Sequence, residues 1–170
     1  MVIKMYYLKN FLLYSLIGFI MESTLFKITN TLKHSGIFYG PITAVYGVGV
    51  VAIILLNKYI FRKLKCNIVL KLIIEFILLT ITLTTIEFLG GNILNILFDI
   101  DMWNYSKKAF NFGKYICLEI SLIWGLLGLA YIYIFKKFTD KILKKITRKE
   151  TYFFLSLFII DLVLVLFIKI

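Results

Sequence analysis

The sequence predicts an all-α integral membrane protein, a helical bundle of about five transmembrane segments with its N-terminus inside. Three observations predict it. First, 61% of the 170 residues are hydrophobic and the mean hydropathy is +0.94, where soluble domains are about 45–50% apolar and so greasy a surface would not stay in water. Second, the apolar residues gather into five runs of bilayer-crossing length, roughly 8–27, 38–57, 68–90, 114–135 and 151–168. Third, the 20 Lys and Arg residues lie mostly in short segments between those runs, as topology signals do. Lipid cannot satisfy bare backbone groups, so the runs should be helices. No linker or repeat divides the chain, so residues 1–170 read as one multi-pass domain.

The first run follows a basic start, but it lacks a small-residue cleavage site and Glu22 interrupts it, which predicts a retained helix rather than a signal peptide. Ser15, Gly18 and Glu22 share one face of it. The second run opens on Gly36-Ile37-Phe38-Tyr39-Gly40-Pro41, with proline at the tolerated start of a helix. Tyr39, Thr43 and Tyr46 then fall on one face. In the third, Thr80, Thr84, Glu87 and Gly91 form a small and polar stripe suited to helix packing, and Lys71 can pair with Glu75 one turn away.

A long loop, 91–113, follows; its Ile93, Leu94, Ile96, Leu97 and Phe98 suit an outer surface, and Trp103 and Tyr105 suit a membrane interface. Asn104-Tyr105-Ser106 matches a glycosylation sequon, which a bacterial source would void. The fourth run carries the small face Ser121, Gly125 and Gly128, with Glu119 pointing roughly opposite. In segment 136–149, Phe138, Ile142 and Ile146 recur among seven basic residues, which fits either a basic amphipathic helix in the headgroup layer or an extension of the fourth helix. The fifth run places Asp161 near mid-depth.

Charge sets the orientation. Lys4, Lys9, Lys58, Arg62, Lys63, Lys65 and the seven basic residues of 136–149 stand on one side, thirteen in all, against Lys27, Lys33, Lys107, Lys108, Lys114 and Lys169 on the other. The positive-inside rule then puts the N-terminus in the cytoplasm and the C-terminus outside. The net charge of +11 fits anionic headgroups better than nucleic acid under this distribution. Ile, Lys and Phe richness points to an AT-rich bacterial genome, hence the bacterial plasma membrane.

Glu22, Glu75, Glu87, Glu119 and Asp161 lie within the runs. An acidic residue near the bilayer centre costs on the order of 3 kcal/mol, so these should face protein or water. Glu22, Glu87 and Glu119 fall in the outer half of the membrane. The expectation is a polar pocket open to the outside, lined by these three with Tyr39 and Tyr46 and roofed by Trp103, Asn104, Tyr105 and Asn111. The alternative is that these groups only fix helix packing. No cofactor or metal is expected: Cys66 and Cys117 are 51 positions apart, and His34 is the single histidine.

GFIMES at 18–23, YGPITAVYG at 39–47, TIEFLGG at 85–91, WNYS at 103–106, FNFGKYICL at 110–118 and WGLLG at 124–128 together resemble the CmpB-like putative ABC-transporter permease family, which also takes in eukaryotic multi-pass membrane proteins of unknown role. The resemblance covers roughly 8–135 and leaves the fifth helix outside. Asn104 stands where the family pattern has aspartate, and Ala44 where it usually has a second proline. The resemblance implies a transporter permease subunit. With no phosphate-cradling G-x-x-x-x-G-K-[ST] loop, it would need a separate ATPase and further membrane subunits or copies of itself. A non-transporting scaffold or accessory subunit is the alternative. A membrane enzyme lacks a nucleophile–base pair or a metal motif, so no catalytic residue is expected.

Overall fold

The computed structural model describes residues 2–28 and 36–169, with side chains from Lys4 onward. Lys33 and His34 lie outside the described residues. The helices are α1 (Val2–Ile28), α2 (Ala44–Tyr59), α3 (Ile68–Phe98), α4 (Leu118–Ala130), α5 (Lys136–Lys145) and α6 (Arg148–Lys169). A π turn, Tyr131–Phe135, joins α4 to α5, so Leu118–Lys145 is one long helical segment. Among the described residues, five helical segments are long and apolar enough to cross a membrane. The sheet is minimal: β1 (Asn111–Phe112) and β2 (Ile116–Cys117) pair antiparallel in a short hairpin. Large apolar side chains point outward along the segments, Ile96 at 78% and Phe167 at 85% exposure among them, as a lipid-facing surface requires.

The chain divides into two compact units, Met1–Val48 with Thr139–Ile170, and Gly49–Phe138. In the first, the small stripe of α1 receives the start of α2. Ser15 is fully buried, and a Cβ on Gly47 would strike Ser15 and Phe11, while one on Gly18 would strike the Tyr46 ring. The Phe158 ring of α6 packs against Phe11 and Phe38. α5 is tied to α1 by Tyr6 Oη donating to Asp140 (2.8 Å), by a Tyr14–Thr139 hydroxyl bond (2.6 Å), and by Lys9 Nζ donating to the carbonyls of Leu143 and Ile146. The chain then turns into α6 through a capping box. The Thr147 N–H donates to Glu150, and the Glu150 N–H donates back to the Thr147 hydroxyl.

In the second unit α3 packs on α4 through the expected faces. Ser121, Gly125 and Gly128 are buried; a Cβ on Gly125 would meet Thr80 and Phe76, and one on Gly128 would meet Leu79. Lys71 and Glu75 do pair (3.8 Å), and Tyr133, in the π turn, also donates its hydroxyl to Glu75 (2.7 Å).

Two local expectations are corrected. Pro41 does not open the second helix; it stands three residues before α2, in an irregular segment from Gly36 to Thr43. That backbone takes its hydrogen bonds elsewhere. The Tyr39 and Gly40 N–H groups donate to the Asp161 carboxylate (2.9 and 2.8 Å), and the Thr43 N–H donates to the Ser15 carbonyl (3.0 Å). Tyr39 therefore shares no helix face with Tyr46. The third helix does not stop at 90 but runs to Phe98, so Ile93–Phe98 are helical. Gly91, on the packing stripe expected of this helix, meets the Tyr115 ring, and Asp99, with φ 52°, ends the helix in a left-handed cap. The expectations for 136–149 stand beside this: α5 continues the fourth helical segment, with Thr139 and Leu143 buried and Phe138 and Ile142 exposed.

Candidate functional site

The site centres on Glu87. It lies on the α3 face that carries Thr80 and Thr84, and is 4% exposed. Tyr105 donates its hydroxyl to Glu87 Oε1 at 2.9 Å. The loop that delivers Tyr105 is held at both ends. The Tyr105 N–H donates to the Lys114 carbonyl (2.7 Å), and the Lys108 N–H donates to the Tyr105 carbonyl (2.8 Å). The Tyr115 ring packs on Gly91, one turn beyond Glu87, and Trp103 meets that ring edge-on at 6.3 Å.

In the same unit, Thr84 Oγ1, Ser121 Oγ and Trp103 Nε1 are buried and have no hydrogen-bond partner among the described residues. Thr84 is one turn below Glu87 on α3. Ser121 is one turn before Gly125 on the facing side of α4, which puts it between the Gly125–Thr80 and Gly91–Tyr115 contacts. Buried polar atoms normally find a partner, and leaving one without costs about 1–3 kcal/mol. The α3–α4 seam and its loop thus carry buried polar atoms that no described residue satisfies.

The loop has a second carboxylate that sequence reasoning missed. Asp101 accepts from the Tyr115 hydroxyl (2.5 Å), Lys114 Nζ (3.1 Å) and Asn95 Nδ2 (3.1 Å). The Tyr115 bond, then Lys114, holds the Asp101 carboxyl below its usual range. Burial, then Asp101, pushes the Tyr115 hydroxyl up to about 12. An acid two residues before Trp103 was the available signal.

The remaining expected site residues take other parts. Asn104 Oδ1 accepts from the Ser106 N–H, and Asn111 Nδ2 donates to the Gly113 carbonyl, so both shape turns. Glu119 is half exposed and pairs with Lys108 at 3.3 Å, in place of the inward position expected for it. Within the other unit, Tyr46 donates its hydroxyl to Glu22 at 3.0 Å. Tyr39 is exposed there, with the Lys169 ammonium over its ring at 5.0 Å.

No curated protein and no solved structure matches the chain. A family model described as "Putative ABC-transporter type IV" matches residues 9–168. That match runs through α6, past the limit of the sequence resemblance at about 135. With five apolar helices long enough to span a bilayer and a match over nearly its whole length, the chain is a multi-pass membrane protein that belongs to the CmpB family of putative type IV ABC transporters.

Proposed function

We propose that the chain is a permease-like subunit of an ABC-type transporter that takes a polar or cationic ligand to Glu87 from the outer side of a bacterial plasma membrane. The observation that supports this is the buried Glu87–Tyr105 pair beside the partnerless Thr84, Ser121 and Trp103 atoms. A buried carboxylate attracts a cation, and the hydroxyls and the indole N–H fix a polar group's orientation. The chain does no chemistry on the ligand, and hydrolysis of ATP falls to a separate ATPase subunit, since no phosphate-cradling loop is present in the sequence. Further membrane subunits or copies of the chain complete the pathway.

Native mass spectrometry of gently extracted protein tests the site. The wild type is expected to carry a small non-lipid adduct that Glu87→Leu and Glu87→Gln each reduce at least about tenfold, the factor one charged hydrogen bond supplies. A wild type without adduct, or variants that keep it, refutes the ligand reading.

The orientation has its own test. In a cysteine-free background, a single cysteine at position 106 should react with an impermeant reagent added outside, and one at position 63 should not. The reverse pattern would place Glu87 on the wrong side.

A scaffold or accessory role is the second reading. It is favoured by a repeated device: Tyr46–Glu22, Tyr105–Glu87 and Tyr133–Glu75 each close a glutamate with a neutral hydroxyl, as packing alone would. Constant co-purification with one membrane partner, unaffected by Glu87→Gln and without adduct, is its signature.

A further inference from the structure

We infer that the turn between α5 and α6 is a binding site for anionic phospholipid headgroups, formed by Lys141, Lys144, Lys145, Arg148 and Lys149. All five side chains are exposed, and among the described residues no ion pair is found for any of them. The acids beside them are engaged. Asp140 accepts from Tyr6, and Glu150 is held in the capping box by the Thr147 N–H at 2.6 Å. The carbonyls at the end of α5 do not draw these lysines in either, because Lys9 Nζ already bonds those of Leu143 (3.2 Å) and Ile146 (2.6 Å). Five cations thus face two carboxylates held by neutral donors, which leaves an excess of positive charge on a turn that is fixed from behind.

Depth selects the partner. Leu118–Lys145 is 28 residues long, about 42 Å as a helix, against a hydrocarbon core of about 30 Å. Its last turns therefore stand at headgroup level. Ile142, 48% exposed among the lysines, suits the boundary between headgroups and acyl chains and would gain nothing from a purely aqueous acidic partner. Phosphates of anionic lipids supply the missing negative charge, each basic side chain near such a surface adding to the attraction. A charge bias that served insertion alone would make basic loops interchangeable. A built site makes them unequal.

The test uses the purified full-length chain in neutral detergent, titrated with phosphatidylglycerol or phosphatidylcholine and read by native mass spectrometry. The wild type should retain phosphatidylglycerol in preference to phosphatidylcholine. The triple variant Lys141→Gln, Lys144→Gln, Lys145→Gln should lose that retention by about tenfold. The matched triple Arg62→Gln, Lys63→Gln, Lys65→Gln should lose less than about twofold. Millimolar inorganic phosphate should not displace the lipid. Should the first triple fail to fold by circular dichroism, Lys144→Gln alone and the wild type in raised salt give the same reading, each weakening phosphatidylglycerol retention. Equal loss in the two triples, equal retention of the two lipids, displacement by phosphate, or salt-independent binding overturns the site. Binding only of an acidic polypeptide would also overturn it.

Discussion

Asp161→Leu is expected to leave little folded protein. In α6 this carboxylate accepts from two successive backbone N–H groups, Tyr39 at 2.9 Å and Gly40 at 2.8 Å, and is 8% exposed. Leucine removes both acceptors and strands two part-buried amides, at a cost of about 1–3 kcal/mol each. The sum, about 2–6 kcal/mol, is a large part of the 5–15 kcal/mol that holds an ordinary domain together. Space is short as well, since a Cβ on Gly40 would already lie 3.0 Å from Asp161 Oδ2. Asp161→Asn keeps one acceptor and faces its amide against the other N–H, so it should fall between leucine and wild type. Thermal unfolding in mild detergent reads the order. A leucine variant that melts within a few degrees of the wild type would show that the carboxylate does not hold the 36–43 segment.

The same residue explains what the sequence did and did not disclose. The five spans were legible because lipid imposes a composition on every residue of a span, and run length alone locates it. The stripe Ser121, Gly125, Gly128 was legible because close helix packing needs small residues at helical spacing, a local pattern. The start of α2 was not. Pro41 looks like a first-turn proline until it is known that amides 39 and 40 go to a carboxylate more than 120 positions away. Nothing local carries that information. Gly91 was legible as a packing position, but its partner, the Tyr115 ring delivered by the following loop, was not. In α5 the apolar periodicity of Phe138 and Ile142 marked the lipid-exposed side, because hydrophobicity in a membrane protein does not mean burial.

The site was legible in part for the same reason. Glu87 stood out because a carboxylate in an apolar run must be accounted for, and Tyr105 because it lies in an aromatic loop segment. Asp101 did not, since an acid in a polar loop is unremarked until Tyr115 and Lys114 are seen to converge on it.

Gly125→Val is expected to separate α3 from α4. The Cβ alone would fall well inside contact distance of Thr80 Oγ1 and the Phe76 ring. Thr80 has little freedom to yield, because its hydroxyl donates to the Phe76 carbonyl at 2.8 Å and its branched side chain is stiff. Overpacking of this kind costs about 1–3 kcal/mol, and valine adds two methyls to the clash, so about 3 kcal/mol is the expected loss. Leu126→Val, one residue on but 59% exposed, should change stability by less than about 0.5 kcal/mol. The mechanism has a signature beyond lost stability. Gly125→Ala should be partly rescued by Thr80→Ala, which removes the atom the new methyl strikes, with a coupling of about 1 kcal/mol in a double-mutant cycle. Because Ser121 is one turn before Gly125, pushing α4 outward also moves its buried hydroxyl away from the α3 seam. Gly125→Val should therefore lower adduct retention even at temperatures where it remains folded, and the Thr80→Ala partner should restore some of it in the alanine background. Full stability in Gly125→Val, or additive effects in the cycle, would mean that α3 and α4 do not meet at this glycine.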